Sequence, residues 1–162
     1  MASSGVVRST EDTARAGRLE GEWAGYLLLA PLVLCLAGVG LLPGYNAQEL
    51  AQRVAIAWGA VLLAAGGAVH WGLALAGGLR RPRAGLGGAL ATALAGAAGV
   101  VIGGQRGLAL LTVGCGVLWL YEHHALGEEL PADYLRLRRQ LALATCMLLA
   151  LIMFVSDAAG LR

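Results

Sequence analysis

The fold is decided by an uncharged run of 26 residues at positions 54–79, which reads VAIAWGAVLLAAGGAVHWGLALAGGL. A membrane-spanning helix needs about 20 predominantly apolar residues, because each residue advances about 1.5 Å through about 30 Å of hydrocarbon. The run is longer than that, so we expect a helix that crosses the membrane with a tilt. It lacks the alternation of an outer-membrane strand, and a backbone that must pair its amides within hydrocarbon favours a helix.

Four further apolar runs have the same character. The chain is 58% hydrophobic and 14% charged, with a mean hydropathy of +0.70, whereas a soluble domain carries nearer a quarter charged residues. We therefore predict an all-α integral membrane protein, a bundle of about five transmembrane helices in one membrane domain at 24–156. The predicted spans are 24–42, 54–79, 84–104, 107–121 and 141–155, with a polar, flexible segment at 1–23 and a short tail at 157–162.

The third and fourth spans are separated only by the glycine-rich residues 103–107. Glycines adopt positive φ readily, so we expect a tight turn that makes a helical hairpin. A four-helix count, with this pair fused or re-entrant, is the alternative.

The arginines are distributed unevenly between the segments that join these spans. With five crossings, nine of the twelve basic residues fall on one side, and Arg53, Arg106 and Arg162 fall on the other. Basic residues accumulate in cytoplasmic loops, so we place the N-terminus inside and the C-terminus outside. Anionic lipid headgroups and an acidic protein surface are the candidate partners of the basic inner patch, which comprises Arg80, Arg81, Arg83, Arg136, Arg138 and Arg139.

Small residues recur at every fourth position of the second and third spans. Residues four apart share a helix face, and small faces let membrane helices approach closely. We therefore predict that these two helices form the seam of a compact bundle, although an Ala/Gly-rich chain also produces such rows by chance. The predicted helix-packing residues are Ala60, Ala64, Ala68, Gly72, Ala76, Gly87, Ala91, Ala95, Gly99 and Gly103.

His70 stands out as a polar side chain within a span. It lies roughly 13 Å from the predicted inner end by helix rise and is followed by Trp71. Either it is a neutral histidine bonded to a backbone carbonyl or hydroxyl of a neighbouring helix, or it binds a metal, haem, a quinone or a lipid. We favour the structural role and keep His70 and Trp71 as the cofactor-binding candidates.

The remaining polar residues give little support to a haem or metal site. Bis-histidine ligation needs two histidines at similar depth, and His123 and His124 lie more than about 10 Å shallower by helix rise. These histidines and Glu122, Glu128 and Glu129 lack ligand spacing typical of zinc, so we interpret the group as a solvated loop. We predict no charged residue well inside a helix, which argues against a proton-coupled or ion-coupled transporter. We also predict no catalytic residue and no metal site.

Pro131 and Asp133 predict a further helix before the fifth span. Proline suits the first turn of a helix, and an acidic residue suits its positive end. We expect this juxtamembrane helix to be continuous with the fifth span or kinked from it.

Two patches of the sequence resemble the transmembrane protein 69-like family. Residues 58–72, WGAVLLAAGGAVHWG, resemble the signature helix of that family, which begins with an aromatic-Gly-Ala and ends in a His-Trp-Gly pattern. Residues 130–138, LPADYLRLR, resemble the segment before its last helix, with Asp133 where Trp is expected. The resemblance implies a small multipass protein of bacterial inner membranes, with mitochondrial inner-membrane relatives and no established biochemical activity.

These observations together predict a non-enzymatic protein. We expect an accessory or assembly subunit that docks on a larger membrane complex, because contact surfaces are present and a catalytic constellation is not. The alternatives are a binder of a lipid, quinone or similar apolar cofactor near His70, and a small channel or transporter. Expected partners are membrane lipids and a larger membrane complex rather than nucleic acid, since the net charge is only +2. The cofactor stays open, with haem not expected, and the expected location is the bacterial or mitochondrial inner membrane.

Overall fold

Five α-helices build the part of the chain that the structure describes. The computed structural model describes residues 23–77, 82–125 and 132–161, and no strand occurs in these ranges. The prediction of an all-α bundle of about five helices is confirmed. The helices are α1 (Ala30–Leu41), α2 (Tyr45–Leu75), α3 (Pro82–Ile102), α4 (Gly104–Ala125) and α5 (Ala132–Ala158). The predictions for the polar segment at 1–22 and for Arg80, Arg81, Pro131, Glu128, Glu129 and Arg162 fall outside the described residues.

The described bundle has an apolar exterior. Val101, for example, is 86% exposed, and large aliphatic side chains are exposed on α1, α2, α3 and α5 as well. An apolar surface of this extent is accommodated by a bilayer and not by water. Four candidate spans in the described ranges are long and apolar enough to cross a membrane: Trp23–Leu41, Tyr45–Leu75, Pro82–Ile102 and Tyr134–Ala158. The helix α4 has 22 residues and is as long as α3, but polar residues at both of its ends lower its hydropathy.

The first predicted span is interrupted near its start. A helical turn at 23–27 ends before α1 begins, and Pro31 lies in the first turn of α1. Proline has no N–H to donate to the carbonyl four residues earlier, and its ring crowds that carbonyl, so the helix breaks there. The backbone carbonyl of Leu28 in this break accepts a hydrogen bond of 2.8 Å from Trp58 Nε1 of α2. A neighbouring helix thus satisfies a backbone carbonyl that the break leaves without a helical partner, as membrane interiors require.

The second helix begins nine residues earlier than predicted and lies at the centre of the bundle. The prediction placed its start after Arg53, but Glu49 pairs with Arg53 one turn later at 2.7 Å, and such pairs support a polar helical turn. Each of the other four helices packs against α2, whereas α3 packs mainly on α2 and α4. The bundle is therefore built around α2 rather than around the second and third helices jointly.

The predicted hairpin and the predicted juxtamembrane helix are both present. Only Gly103 separates α3 from α4, and Gly103 and Gly104 have φ of +63° and +52°. The left-handed region that these angles occupy favours glycine. The juxtamembrane helix is continuous with the fifth span and forms the first two turns of α5.

The small-residue seam lies on different rows from those predicted. Of the predicted residues, Ala60 and Gly99 are buried, whereas Ala68, Gly72, Ala76, Gly87 and Ala91 are exposed and Ala64, Ala95 and Gly103 are half-buried. The buried residues of α3 are instead Gly85, Ala89, Thr92, Gly96 and Gly99, which alternate between four and three apart. A strict spacing of four drifts by about 40° per step at 3.6 residues per turn, so it leaves the interface, while the alternation stays on one face.

The close approach predicted for these two helices does occur. A Cβ added to Gly96 would lie 3.1 Å from the backbone oxygen of Ala60, and one added to Gly67 would collide with Thr92 Oγ1. The prediction of a small-residue seam between α2 and α3 was therefore right about the helices and wrong about half of the residues.

Candidate functional site

A buried cluster of polar side chains joins four helices near one end of the bundle. His70 is fully buried in α2, and its Nε2 lies 3.2 Å from Glu122 Oε1 of α4. This contact does not have the geometry of a hydrogen bond, and neither ring nitrogen of His70 has a hydrogen-bond partner among the described residues. Tyr121 meets the imidazole edge-on at 6.3 Å between ring centroids, and its hydroxyl donates to the Ala84 carbonyl of α3 at 2.7 Å.

Glu122 carries the negative charge of this cluster. Its side chain is 1% exposed, and both carboxylate oxygens accept hydrogen bonds of 3.0 Å from Nε of Arg138 in α5. The interpretation of Glu122 as part of a solvated loop was wrong, because α4 continues to Ala125 and turns this residue inward. Glu122 lies in the last turn of α4 rather than well inside the helix, so the structure differs from the prediction in the burial of this charged residue and not in its depth.

The partner of His70 was not among those expected from the sequence. The sequence favoured a hydrogen bond to a backbone carbonyl or a hydroxyl, whereas the structure places a carboxylate 3.2 Å from His70 Nε2 without a hydrogen bond. Helix α2 ends at Leu75, so His70 lies only about 7.5 Å from that end by helix rise. Glu122 lies at a similar depth, in the last turn of α4. Correct end points for α2 and α4 would therefore have placed the two side chains at the same level and indicated the contact.

The other candidate residues that the structure describes, Trp71, His123 and His124, lie apart from this cluster. Trp71 is 49% exposed and points away from the buried face of α2. His123 is exposed and stacks on Trp119 with 6.0 Å between ring centroids, and His124 is exposed beside it. Within the described ranges no three His, Cys, Asp or Glu side chains converge as metal ligands.

The basic inner patch is divided by the structure. Arg138 faces inward to Glu122, with 19% of its side chain exposed. Arg83, Arg136 and Arg139 are exposed near the same end of the bundle. Three of the six predicted arginines therefore remain available to a lipid headgroup or a protein surface in the described part of the chain.

An apolar cavity of about 270 Å³ adjoins the polar cluster. It lies between the broken start of the first span and helices α2, α4 and α5. Its polar lining comes from Arg138, Tyr134, Thr145 and Cys115, and the rest of its wall is aliphatic or glycine. A largely apolar pocket with few polar groups is the usual form of a small-molecule site in a protein.

The arrangement has two chemical properties. It holds the carboxylate of Glu122 against both a guanidinium and an imidazole in a largely buried setting, which fastens α2, α4 and α5 together. It also leaves the two terminal amino groups of Arg138 without a hydrogen bond in the described ranges, since only Nε binds Glu122.

The fold and this cluster define the protein as a small integral membrane protein of the α-helical bundle class, closed at one end by a buried His–Glu–Arg contact. The chain belongs to the DUF3429 family, described as a protein of unknown function, whose family model matches residues 20–154. All three residues of the cluster lie within that match. No curated protein and no solved structure matches the chain. The resemblance to the transmembrane protein 69-like family stays a prediction.

Proposed function

We propose that this protein is a non-enzymatic accessory or assembly subunit that docks on a larger complex of the inner membrane. The observation that supports this role is an open groove on the outer face of α2 and α3. The groove is shallow, and its volume is about 280 Å³. It is lined by Ala57, Ala60, Val61, Ala64, Ala93, Gly96, Ala97 and Val100.

A groove of this composition suits a transmembrane helix of another protein. Membrane helices associate by close van der Waals packing because hydrocarbon supplies no hydrophobic drive between them, and small residues permit that approach. Elsewhere the exterior of α2 and α3 presents larger side chains, such as Leu90, Leu94 and Val101. The groove is thus a place where a second helix gains contacts that lipid tails make less well.

The exposed arginines support a partner on the inner side. Arg83, Arg136 and Arg139 lie near one end of the bundle, and a partner with an acidic cytoplasmic surface would be attracted to them. The positive-inside rule gives that end to the cytoplasm, or to the matrix of a mitochondrion.

Native purification in mild detergent tests this role with two matched substitutions. Ala97→Leu fills the groove, and Ala37→Leu adds the same group at an exposed position of α1 outside it. We expect the unaltered chain and Ala37→Leu to co-migrate with one stoichiometric partner, and Ala97→Leu to lose it. Retention of the same partner by Ala97→Leu, or migration of all three chains alone, would contradict the proposal.

A further inference from the structure

The apolar cavity has an opening on the outside of the bundle. Leu28 and Val69 belong to its lining and are themselves exposed. A molecule dissolved in the bilayer can therefore reach the cavity from the lipid side. Its volume of about 270 Å³ is slightly below that of a typical ligand pocket, so it suits a single ring or head group whose tail stays in the lipid.

Arg138 supplies hydrogen-bond donors to this space. Its Nε is occupied by Glu122, and its terminal amino groups have no hydrogen bond in the described ranges, while the side chain lines the cavity. One terminal nitrogen lies against Gly66, where a Cβ would collide with it. Glycine at this position lets the guanidinium extend along the cavity wall. Donors held in an apolar space favour an occupant that brings an acceptor.

The charge of the cluster selects the kind of acceptor. The positive charge of Arg138 is offset by Glu122 at 3.0 Å, so the pair is neutral as a unit. An anionic head group would gain attraction from Arg138 and repulsion from the carboxylate beside it, in a medium that screens charge weakly. A neutral carbonyl oxygen accepts the same hydrogen bonds without that repulsion.

We propose that the cavity binds the head group of a neutral, carbonyl-bearing molecule of the isoprenoid quinone class. A ring carbonyl accepts hydrogen bonds from the terminal amino groups of Arg138, and the isoprenoid tail leaves between Leu28 and Val69. This inference is independent of the docking role, because the cavity and the outer groove of α2 and α3 are lined by different residues.

Trp58 provides a reporter for this binding. Its indole donates to the carbonyl of Leu28, which lines the cavity, and quinones quench tryptophan fluorescence at short range. The probe is a decyl-substituted benzoquinone, titrated into the purified full chain in detergent micelles. We expect saturable quenching with one probe per chain, no competition from decylbenzene, which lacks carbonyls, and weak competition from decanoate.

Two substitutions that narrow the cavity from opposite walls make the test specific. Ala65 in α2 and Ala142 in α5 both line the cavity, so the larger side chains of Ala65→Leu and Ala142→Leu would occupy part of it. We expect each substitution to weaken probe binding at least tenfold. Ala97→Leu, which fills the outer groove instead, is the control and should bind the probe as the unaltered chain does. Equal quenching in all four proteins would show partition into the micelle only and would overturn the proposal.

Arg138→Lys tests the donor itself. Lysine keeps the charge that pairs with Glu122, but all its donors lie on one nitrogen. The guanidinium instead holds donors on separate nitrogens in a fixed plane, one toward the carboxylate and others toward the cavity. We expect at least fivefold weaker binding of the probe. Undiminished binding to this variant, or recovery of the fluorescence when decanoate is added at a concentration equal to that of the probe, would refute the assignment. If Arg138→Lys does not fold, the two cavity substitutions still decide.

Discussion

At the scale of single residues, this bundle holds a charge pair in a largely apolar setting. Glu122 is 1% exposed. Among the charged side chains of the described residues, Arg138 is the one that donates hydrogen bonds to its carboxylate. A buried carboxylate without its cation is costly, whereas removal of both charges together often costs little. His70 adds an imidazole whose nitrogens have no hydrogen-bond partner in the described ranges.

Removal of one member of this pair should therefore cost far more than removal of both. We expect Arg138→Met to lower the free energy of unfolding by about 3–5 kcal/mol, and Arg138→Met combined with Glu122→Leu to recover most of that loss. Unfolding in mixed micelles with increasing denaturing detergent measures both. A double variant as unstable as the single one would show that the charges act separately rather than as a pair.

At the scale of elements, the α3–α4 hairpin depends on glycine where two backbones meet. Gly107 is buried, and a Cβ added to it would lie 2.5 Å from the backbone oxygen of Gly99. That atom belongs to the opposite helix backbone and cannot rotate away. Gly116 of the same helix has no heavy atom within 4 Å of its added Cβ, so the two glycines of α4 have different reasons to be there.

Gly107→Ala should force α3 and α4 apart. We expect a loss of about 1–3 kcal/mol in the free energy of unfolding, typical of overpacking. Gly116→Ala meets no neighbour and should instead raise the free energy of unfolding by up to about 1 kcal/mol, because alanine restricts the unfolded chain more than glycine does. Thermal unfolding of both variants in the same detergent gives the comparison. Equal stability of the two would mean that the hairpin does not hold the close backbone contact described here.

At the scale of the whole molecule, the number of crossings decides on which sides the termini lie. Helices α3 and α4 have 21 and 22 residues and are joined at Gly103, so each is about 32 Å long by helix rise. Both are long enough to cross about 30 Å of hydrocarbon, even though α4 is less apolar than the four candidate spans. Equal lengths in a tight hairpin favour two crossings over a re-entrant loop.

We therefore expect the N-terminus in the cytoplasm and the C-terminus on the other side. Single cysteines introduced at Ala2 and Ala159 of a chain without its native cysteines, probed with a membrane-impermeant thiol reagent on intact and on opened cells, measure this. Labelling of Ala159→Cys alone in intact cells agrees with five crossings. Protection of both positions in intact cells would instead indicate four crossings with α4 re-entrant.

The sequence could predict the features that are enforced locally. The class of protein, the existence of five helices and the turn at Gly103 follow from residues near one another in the chain, because hydrocarbon requires each segment to satisfy its own backbone. The break at Leu28 follows from Pro31 in the same way and was missed because hydropathy alone was read there. The early start of α2 was missed because the charged pair Glu49 and Arg53 was taken as the edge of a span rather than as a helical turn.

The tertiary structure alone decided which faces are buried and what they bring together. Of the small residues predicted at every fourth position, Ala60 and Gly99 are buried but Gly72 and Ala91 are exposed. The rotation of each helix about its axis is set by the helices packed against it and not by residue spacing alone. Glu122 resembles a loop residue until α2 and α5 place His70 and Arg138 beside it. The sequence by itself therefore determined the membrane-helix fold. The polar cluster and its cavity were decided by the tertiary structure, because contacts between distant helices depend on how far each helix extends and on its rotation about its own axis.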